Sequence, residues 1–282
     1  MLAYARMFAT RFAPSPTGLL HLGHAFSALT AWDAAQAANG RFILRIEDTD
    51  ATRCRPEFEE AIYEDLAWLG LTWEQPVRRQ SEHMADYASA LERLIEMGVM
   101  YRCFKTRKDL LADIAHAPHS REIAYLGATL APEIEGKKLA AGEAFAWRLS
   151  QDKCAALLRA RWNDLVAIIE DTQTRLDPYR SGDAIIARKE FPASYHLASV
   201  LDDAHQGITH VIRGKDLIDA PHLHVLLQAL LGLPTPIYRH HALILDEDGK
   251  RLAKRNQSAT LRAMREAGIT PSDIRARLGL KS

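Results

Sequence analysis

Arg11-Phe12-Ala13-Pro14-Ser15-Pro16-Thr17-Gly18-Leu19-Leu20-His21-Leu22-Gly23-His24 decides the fold, because its pattern changes from strand to turn to helix within a few residues. Met7 to Ala13 is a short, mostly apolar run suited to a buried strand, and Pro14, Pro16 and Gly18 then forbid regular structure. From Leu22 to Ala38 apolar residues recur at helical spacing, so the turn delivers the chain into a helix N-terminus. Unpaired N–H groups and the helix dipole favour anions at such a point. His21 and His24, three residues apart, are expected on one face of that helix, where their imidazoles can donate hydrogen bonds to a phosphate. Gly23 leaves room for a flat ring against the backbone. An isolated histidine pair also fits a surface or a satisfied core, so the reading of a nucleotide site needs the rest of the chain.

Working outward, Asn39-Gly40 stops the helix and Arg41 to Ile46 reads as a second strand, ending in Glu47-Asp48-Thr49-Asp50. An acidic cluster at the C-terminal end of a strand can hold an ammonium or a ribose hydroxyl in a parallel α/β sheet, or simply cap the next helix. Phe58, Ile62, Leu66 and Leu69 mark an amphipathic helix closed by Gly70, and strand, helix, strand, helix is the opening of a Rossmann-type half. A helix from Ser81, as its N-cap, to Met97 is expected next, followed by a strand over Val99 to Phe104. Residues 118 to 142 mix Pro, Gly and charge without a period and read as a loop-rich insertion. Ala144 to Leu149, Leu165 to Ile169 and Asp183 to Arg188 read as strands, and Tyr195 to Leu201 as a helix. The strand Ile208 to Ile212 ends in Arg213, whose planar guanidinium can clamp a carboxylate by two parallel hydrogen bonds or form a salt bridge to Asp216 or Asp219. Near the end, Asp248-Gly-Lys250-Arg251-Leu-Ala-Lys254-Arg255 is a glycine-hinged basic loop, placing mobile cations where departing phosphates could be met or where solvent alone surrounds them.

Composition excludes several classes. The 282 residues carry 36 basic and 36 acidic side chains, so any RNA contact is local rather than global. Cys54, Cys103 and Cys154 stand far apart with no CxxC pair, which argues against a disulfide framework or a zinc cluster and fits a reducing cytoplasm. No apolar run approaches the roughly 20 residues of a membrane span, and the apolar start is interrupted by Arg6 and Arg11, unlike a secretory signal. A cytoplasmic monomer without membrane contact is expected.

His21-Leu-Gly-His24 resembles the HIGH signature of class I aminoacyl-tRNA synthetases, and the whole stretch from Arg11 resembles their glutamyl and glutaminyl branch. Leu44 to Asp50, Tyr195 to Asp203 and Arg213 are similar to further hallmarks of that branch, and Lys250 to Ser258 resembles the KMSKS loop, with Arg251 for the first lysine, Ala253 for a serine and Lys254 for the second lysine. The resemblance implies an α/β Rossmann-type catalytic domain with an inserted α+β subdomain. Its boundaries are expected at 1–104 for the first Rossmann half, 105–182 for the insertion and 183–282 for the second half with short C-terminal helices. Arg11, Ser15, Glu47, Tyr195 and Arg213 are implied to hold L-glutamate, and His21, Gly23, His24, Arg251 and Lys254 to bind ATP, with His21, His24 and Lys254 catalytic. Mg²⁺ would arrive with ATP. Many relatives hold structural zinc through Cys-x-Cys, but here Lys105 breaks the pattern after Cys103, so no zinc and no dedicated metal ligands are expected. Ser199 replaces the asparagine usual four residues after the tyrosine. The chain ends at Ser282, soon after Arg255, which resembles stand-alone catalytic domains lacking an anticodon-binding part. Those activate glutamate and pass it to queuosine in the anticodon of tRNA(Asp). Charging of a tRNA 3′ end, a non-catalytic glutamate sensor and a small-molecule nucleotidyltransferase remain as other readings.

Overall fold

The computed structural model describes residues 7–106, 125–188, 193–244 and 260–281. The chain runs β1 (Ala9–Phe12), α1 (Leu22–Ala37), β2 (Arg41–Ile46), α2 (Pro56–Trp68), β3 (Arg78–Arg79), α3 (Met84–Glu96) and β4 (Met100–Cys103). It continues with α4 (Pro132–Ala140), β5 (Ala146–Leu149), α5 (Gln151–Leu158), α6 (Ala160–Asn163), β6 (Val166–Ile169), β7 (Thr172–Arg175) and β8 (Ile185–Arg188). Last come α7 (Tyr195–His205), β9 (His210–Gly214), α8 (Ala220–Leu231), β10 (Ile237–His241), α9 (Leu261–Glu266) and α10 (Pro271–Arg277).

Strands β1, β2 and β3 pair in parallel, as do β9, β10 and β6, with β7 folding back antiparallel on β6. The two parallel groups meet at β1 and β9, where Thr209 N donates to Ala9 O at 2.9 Å and Ala9 N donates to Thr209 Oγ1 at 2.8 Å. The chain therefore reverses its winding between β1 and β9, and the C-terminal ends of those strands splay around a crevice. A separate antiparallel sheet, ordered β4-β5-β8, stands beside this frame.

The alternation of β2 explains how it joins two cores. Phe42, Leu44 and Ile46 face α1, α2 and the C-terminal helices, whereas Ile43 belongs to the core under α3, α7 and α8. Each large apolar side chain taken fully out of water there contributes about 1.5–3 kcal/mol. Gly40 is required at the entry to β2, because a Cβ would collide with the Phe8 carbonyl.

Several local expectations are corrected. Ser81 is not a helix N-cap: it lies in a 3₁₀ turn over Gln80–His83, and both its N–H and its hydroxyl bond Asp48, at 2.8 and 2.6 Å. A buried carboxylate from β2's end outcompetes the helix for that serine. Pro132 nucleates α4 inside the stretch read as loop, since Pro at the first helical turn costs no hydrogen bond. In the strand pairing, β4 and β8 flank β5, while β6 joins the parallel frame through β10. Among the described residues no helix is long and apolar enough to cross a membrane.

Candidate active site

The crevice between β1 and β9 is a cleft of about 640 Å³ built from the C-terminal ends of four parallel strands. Arg11 and Phe12 come from β1, Glu47 from the end of β2, Ile212 and Arg213 from β9, and His241 from β10. Ser15, His21, Gly23, His24 and Tyr195 complete its wall, so the structure brings together every described residue expected at the site.

His21 is not in the helix but caps it. Its Nδ1 accepts from Gly23 N at 3.1 Å, and its own N–H donates to His24 Nδ1 at 3.2 Å. The two rings stack with centroids 3.8 Å apart. With each Nδ1 occupied as an acceptor, each neutral imidazole carries its proton on Nε2. The pair therefore adds two ring donors to the anion-binding end of α1, which lines the cleft. Gly23 serves this geometry, for a Cβ there would lie 3.0 Å from His21 Cε1 and 3.1 Å from Nδ1.

Below the cleft lies a buried ion network that the sequence reading missed. Arg45, fully buried, donates to Asp203 Oδ1 at 2.7 Å, to Gln206 Oε1 at 3.0 Å and to Glu47 Oε1 at 3.0 Å. Arg11 Nε donates to the same Asp203 oxygen at 3.0 Å. Neighbouring Asp202 takes hydrogen bonds from Arg78, Gln80 and Tyr87. Burial alone would push the Asp203 carboxyl upward, but Arg11 and Arg45 outweigh it and hold the pKa below the usual value. Glu47 goes the other way, burial raising its pKa against the pull of Arg45. The visible signal was Arg45 at an inward position of an otherwise apolar strand, a placement that demands carboxylates nearby.

Arg213 is 5% exposed and differs from Arg45 in its partners. It donates to His240 Nε2 at 3.3 Å, Tyr195 Oη at 3.4 Å and Leu217 O at 3.2 Å, and no carboxylate among the described residues pairs with it. The alternative of a salt bridge to Asp219 is overturned, since Asp219 binds Arg180. A buried guanidinium facing a cleft with no counter-ion among the described residues suits an anionic ligand. Behind Tyr195, His196 Nδ1 and His224 Nε2 lie 3.1 Å apart. Burial, aided by the Arg213 charge, pushes His196 down to about 4 and His224 well below its ordinary value, so both stay neutral.

Arg251 and Lys254 fall outside the described residues. The chain enters that segment from Ile244, which lines the cleft, and leaves it at Thr260, which bridges to His21, while Leu261 N donates to Leu20 O at 2.8 Å. Near the broken cysteine pattern, Cys103 Sγ lies 4.0 Å from the Tyr125 hydroxyl and Lys105 Nζ lies 5.6 Å from the Tyr125 ring centre. Among the described residues no group of three His, Cys, Asp or Glu side chains could hold a metal ion.

Comparison with known proteins accords with this geometry. Residues 7–281 match the family described as tRNA synthetases class I (E and Q), catalytic domain. A Rhodobacter capsulatus protein named glutamyl-Q tRNA(Asp) synthetase is 45% identical, the match covering 96% of this chain and 99% of that protein. A protein of the same name from Symbiobacterium thermophilum is 41% identical, over 95% of this chain and 84% of its own length. The crystal structure of a glutamate tRNA ligase from Elizabethkingia meningosepticum in complex with its amino acid superposes with a TM-score of 0.71 at 31% identity. That match covers 88% of this chain and 52% of the ligase, so the chain spans about half of it. The chain thus belongs to the class I tRNA synthetases of the E and Q type, in the group of the glutamyl-Q tRNA(Asp) synthetases.

Proposed function

We propose that the chain activates L-glutamate with ATP as glutamyl-adenylate and transfers the glutamyl group to queuosine in the anticodon of tRNA(Asp). One observation carries the amino-acid part: Arg213, buried and with no carboxylate partner among the described residues, opens on the same cleft as the buried Glu47 carboxylate. Arg213 and the Tyr195 hydroxyl suit the side-chain carboxylate of glutamate, and Glu47 suits its ammonium. Arg11 and Ser15 lie at the strand end where the α-carboxylate would be held. The names of its close relatives support queuosine-bearing tRNA(Asp) as the acceptor.

In the first step the α-carboxylate oxygen attacks the α-phosphorus of ATP, forming the mixed anhydride and releasing pyrophosphate. Charge grows on the α-phosphoryl oxygens and on the leaving group, and His21 and His24, which line the cleft, would donate to it through their Nε2–H groups. Lys254 adds a cation from the loop whose described flanks, Ile244 and Thr260, adjoin the cleft; Arg251 would extend it. Magnesium is used with ATP by this class and screens the phosphates when bound. Such an ion would be carried mainly by phosphate oxygens and water. The His196–His224 pair stands behind Tyr195, and Asp203 and Arg45 hold Arg11 and Glu47 in place through their buried hydrogen bonds.

Labelled glutamate supplied with ATP and tRNA(Asp) tests the reading. Label should pass to tRNA carrying queuosine and not to the same tRNA without it. Label on unmodified tRNA, or on the 3′ end of tRNA(Glu), would overturn the acceptor assignment.

A further inference from the structure

Beside the cleft lies a second recess of about 420 Å³, on the other side of Tyr195. Tyr195 borders both cavities. So does one ion pair: Arg53 lines the cleft, its Nε is 2.6 Å from Asp50 Oδ2, and Asp50 lines the recess. The two cavities therefore share a boundary formed by Tyr195 and the Arg53–Asp50 pair.

The lining of the recess mixes oxygens, from Thr49, Asp50, Thr52 and Ser194, with the apolar Ile185, Ala187 and Ala193 and the cation of Arg188. The Ser194 hydroxyl is buried and has no hydrogen-bond partner among the described residues. Asp50 Oδ1 already accepts from Thr52 N at 3.1 Å and Thr52 Oγ1 at 2.6 Å, and Oδ2 accepts from Arg53 Nε. A carboxylate offers about four lone-pair sites, so Oδ2 retains one for a further donor. The hydrogen bonds from Thr52 and Arg53 hold the Asp50 pKa down at about 2, which keeps it anionic at any working pH.

We propose that this recess is the acceptor subsite: it takes a planar base on Ala187 and Ala193, a cationic amine of that base on Asp50, and its hydroxyls on Thr49 and Ser194. The inference rests on the glutamyl-transfer reading of the cleft. Queuosine has the matching chemistry, a deazaguanine ring joined through a secondary amine to a cyclopentene diol. The terminal adenosine of a tRNA has no such cation, so Asp50 selects between the two acceptors. With the diol turned towards Tyr195, one hydroxyl oxygen attacks the adenylate carbonyl carbon. The ester C–O bond forms, the C–O bond to phosphate breaks, and AMP leaves with the bond pair while its phosphate takes up the hydroxyl proton.

The test uses the intact enzyme and two competitor tRNA(Asp) species that lack the diol and cannot accept glutamate. One carries a deazaguanine with a bare aminomethyl group, the other a deazaguanine with a nitrile. The aminomethyl tRNA should inhibit glutamyl transfer to queuosine-tRNA about tenfold more strongly than the nitrile tRNA, the worth of one charge-assisted hydrogen bond. Asp50→Asn, checked for unchanged melting, should erase that difference. Equal inhibition of the wild-type enzyme overturns the assignment, and so does discrimination that survives in a normally melting Asp50→Asn. Failure of the wild type to transfer glutamate to queuosine-tRNA at all overturns the underlying reading instead.

Discussion

His21 and His24 are locked to each other: the His21 N–H donates to His24 Nδ1 at 3.2 Å while the rings stack at 3.8 Å. The lock separates two jobs within one imidazole, capping through Nδ1 and phosphate donation through Nε2. Asparagine reproduces the first and glutamine the second. His24→Asn should melt within a degree or two of wild type yet lose roughly 10²-fold in glutamate-dependent ATP–pyrophosphate exchange, the usual cost of one missing transition-state donor. His24→Gln should retain more exchange and lose about 1 kcal/mol of stability with the cap. Equal behaviour of the two variants would refute the division.

Gly23 sets stability against activity. Alanine in the first turn of α1 favours the helix by up to about 1 kcal/mol. Its Cβ would nevertheless lie 3.0 Å from His21 Cε1, and the imidazole must swing away. Gly23→Ala should therefore hold or raise the melting temperature while pyrophosphate exchange falls about tenfold or more. Melting curves and exchange rates on one preparation decide it.

How much of this was legible in the sequence depends on the range of the interaction involved. β2 occupies the span read from its branched and aromatic residues, and Arg213 stands at a strand end as expected, because both follow from local pattern. Ser81 was misread because its partner Asp48 is remote in sequence, and a serine before a helical run signals a cap unless a carboxylate claims it. The Arg45–Asp203 pair spans 158 positions, and no local rule pairs them. The placement of His21 outside the helix was within reach: a residue that supplies an acceptor before a helical run is positioned as its cap.

That remote pair makes a strong stability prediction. Arg45 balances Asp203, Glu47 and Asp202 in a space with no water access, and those carboxylates outweigh the burial that opposes its charge, raising its pKa. Arg45→Met would strand them, costing about 3–5 kcal/mol by chemical denaturation. A loss below 1 kcal/mol would show the network to be dispensable.

Glutamate affinity should depend on pH through Glu47. Burial raises its pKa above the ordinary carboxylate value, so falling pH protonates it sooner and removes the partner of the substrate ammonium. KM for glutamate should rise on the acid side while kcat changes less, with the rise starting at higher pH than for an exposed glutamate. Glu47→Gln should raise KM at neutral pH and flatten that acid limb.

Asp65 on α2 presents the opposite sign for stability. It is fully buried, neither carboxylate oxygen has a hydrogen-bond partner among the described residues, and Arg265 Nη1 on α9 is 3.8 Å away. Desolvation outweighs the pull of Arg265 and Arg262 and lifts its pKa from 3.8 to about 6. Between those values the folded protein binds more protons at this site than the unfolded chain, so its contribution is full below pH 3.8 and is lost as pH rises through about 6. Asp65→Asn keeps the shape and removes the ionisation. The variant should be more stable than wild type by about 1–3 kcal/mol at neutral pH, with the gain shrinking as pH falls through that window. Denaturant melts across the window measure it, and a gain that is absent at neutral pH would mean that Arg265 neutralises the buried carboxylate after all.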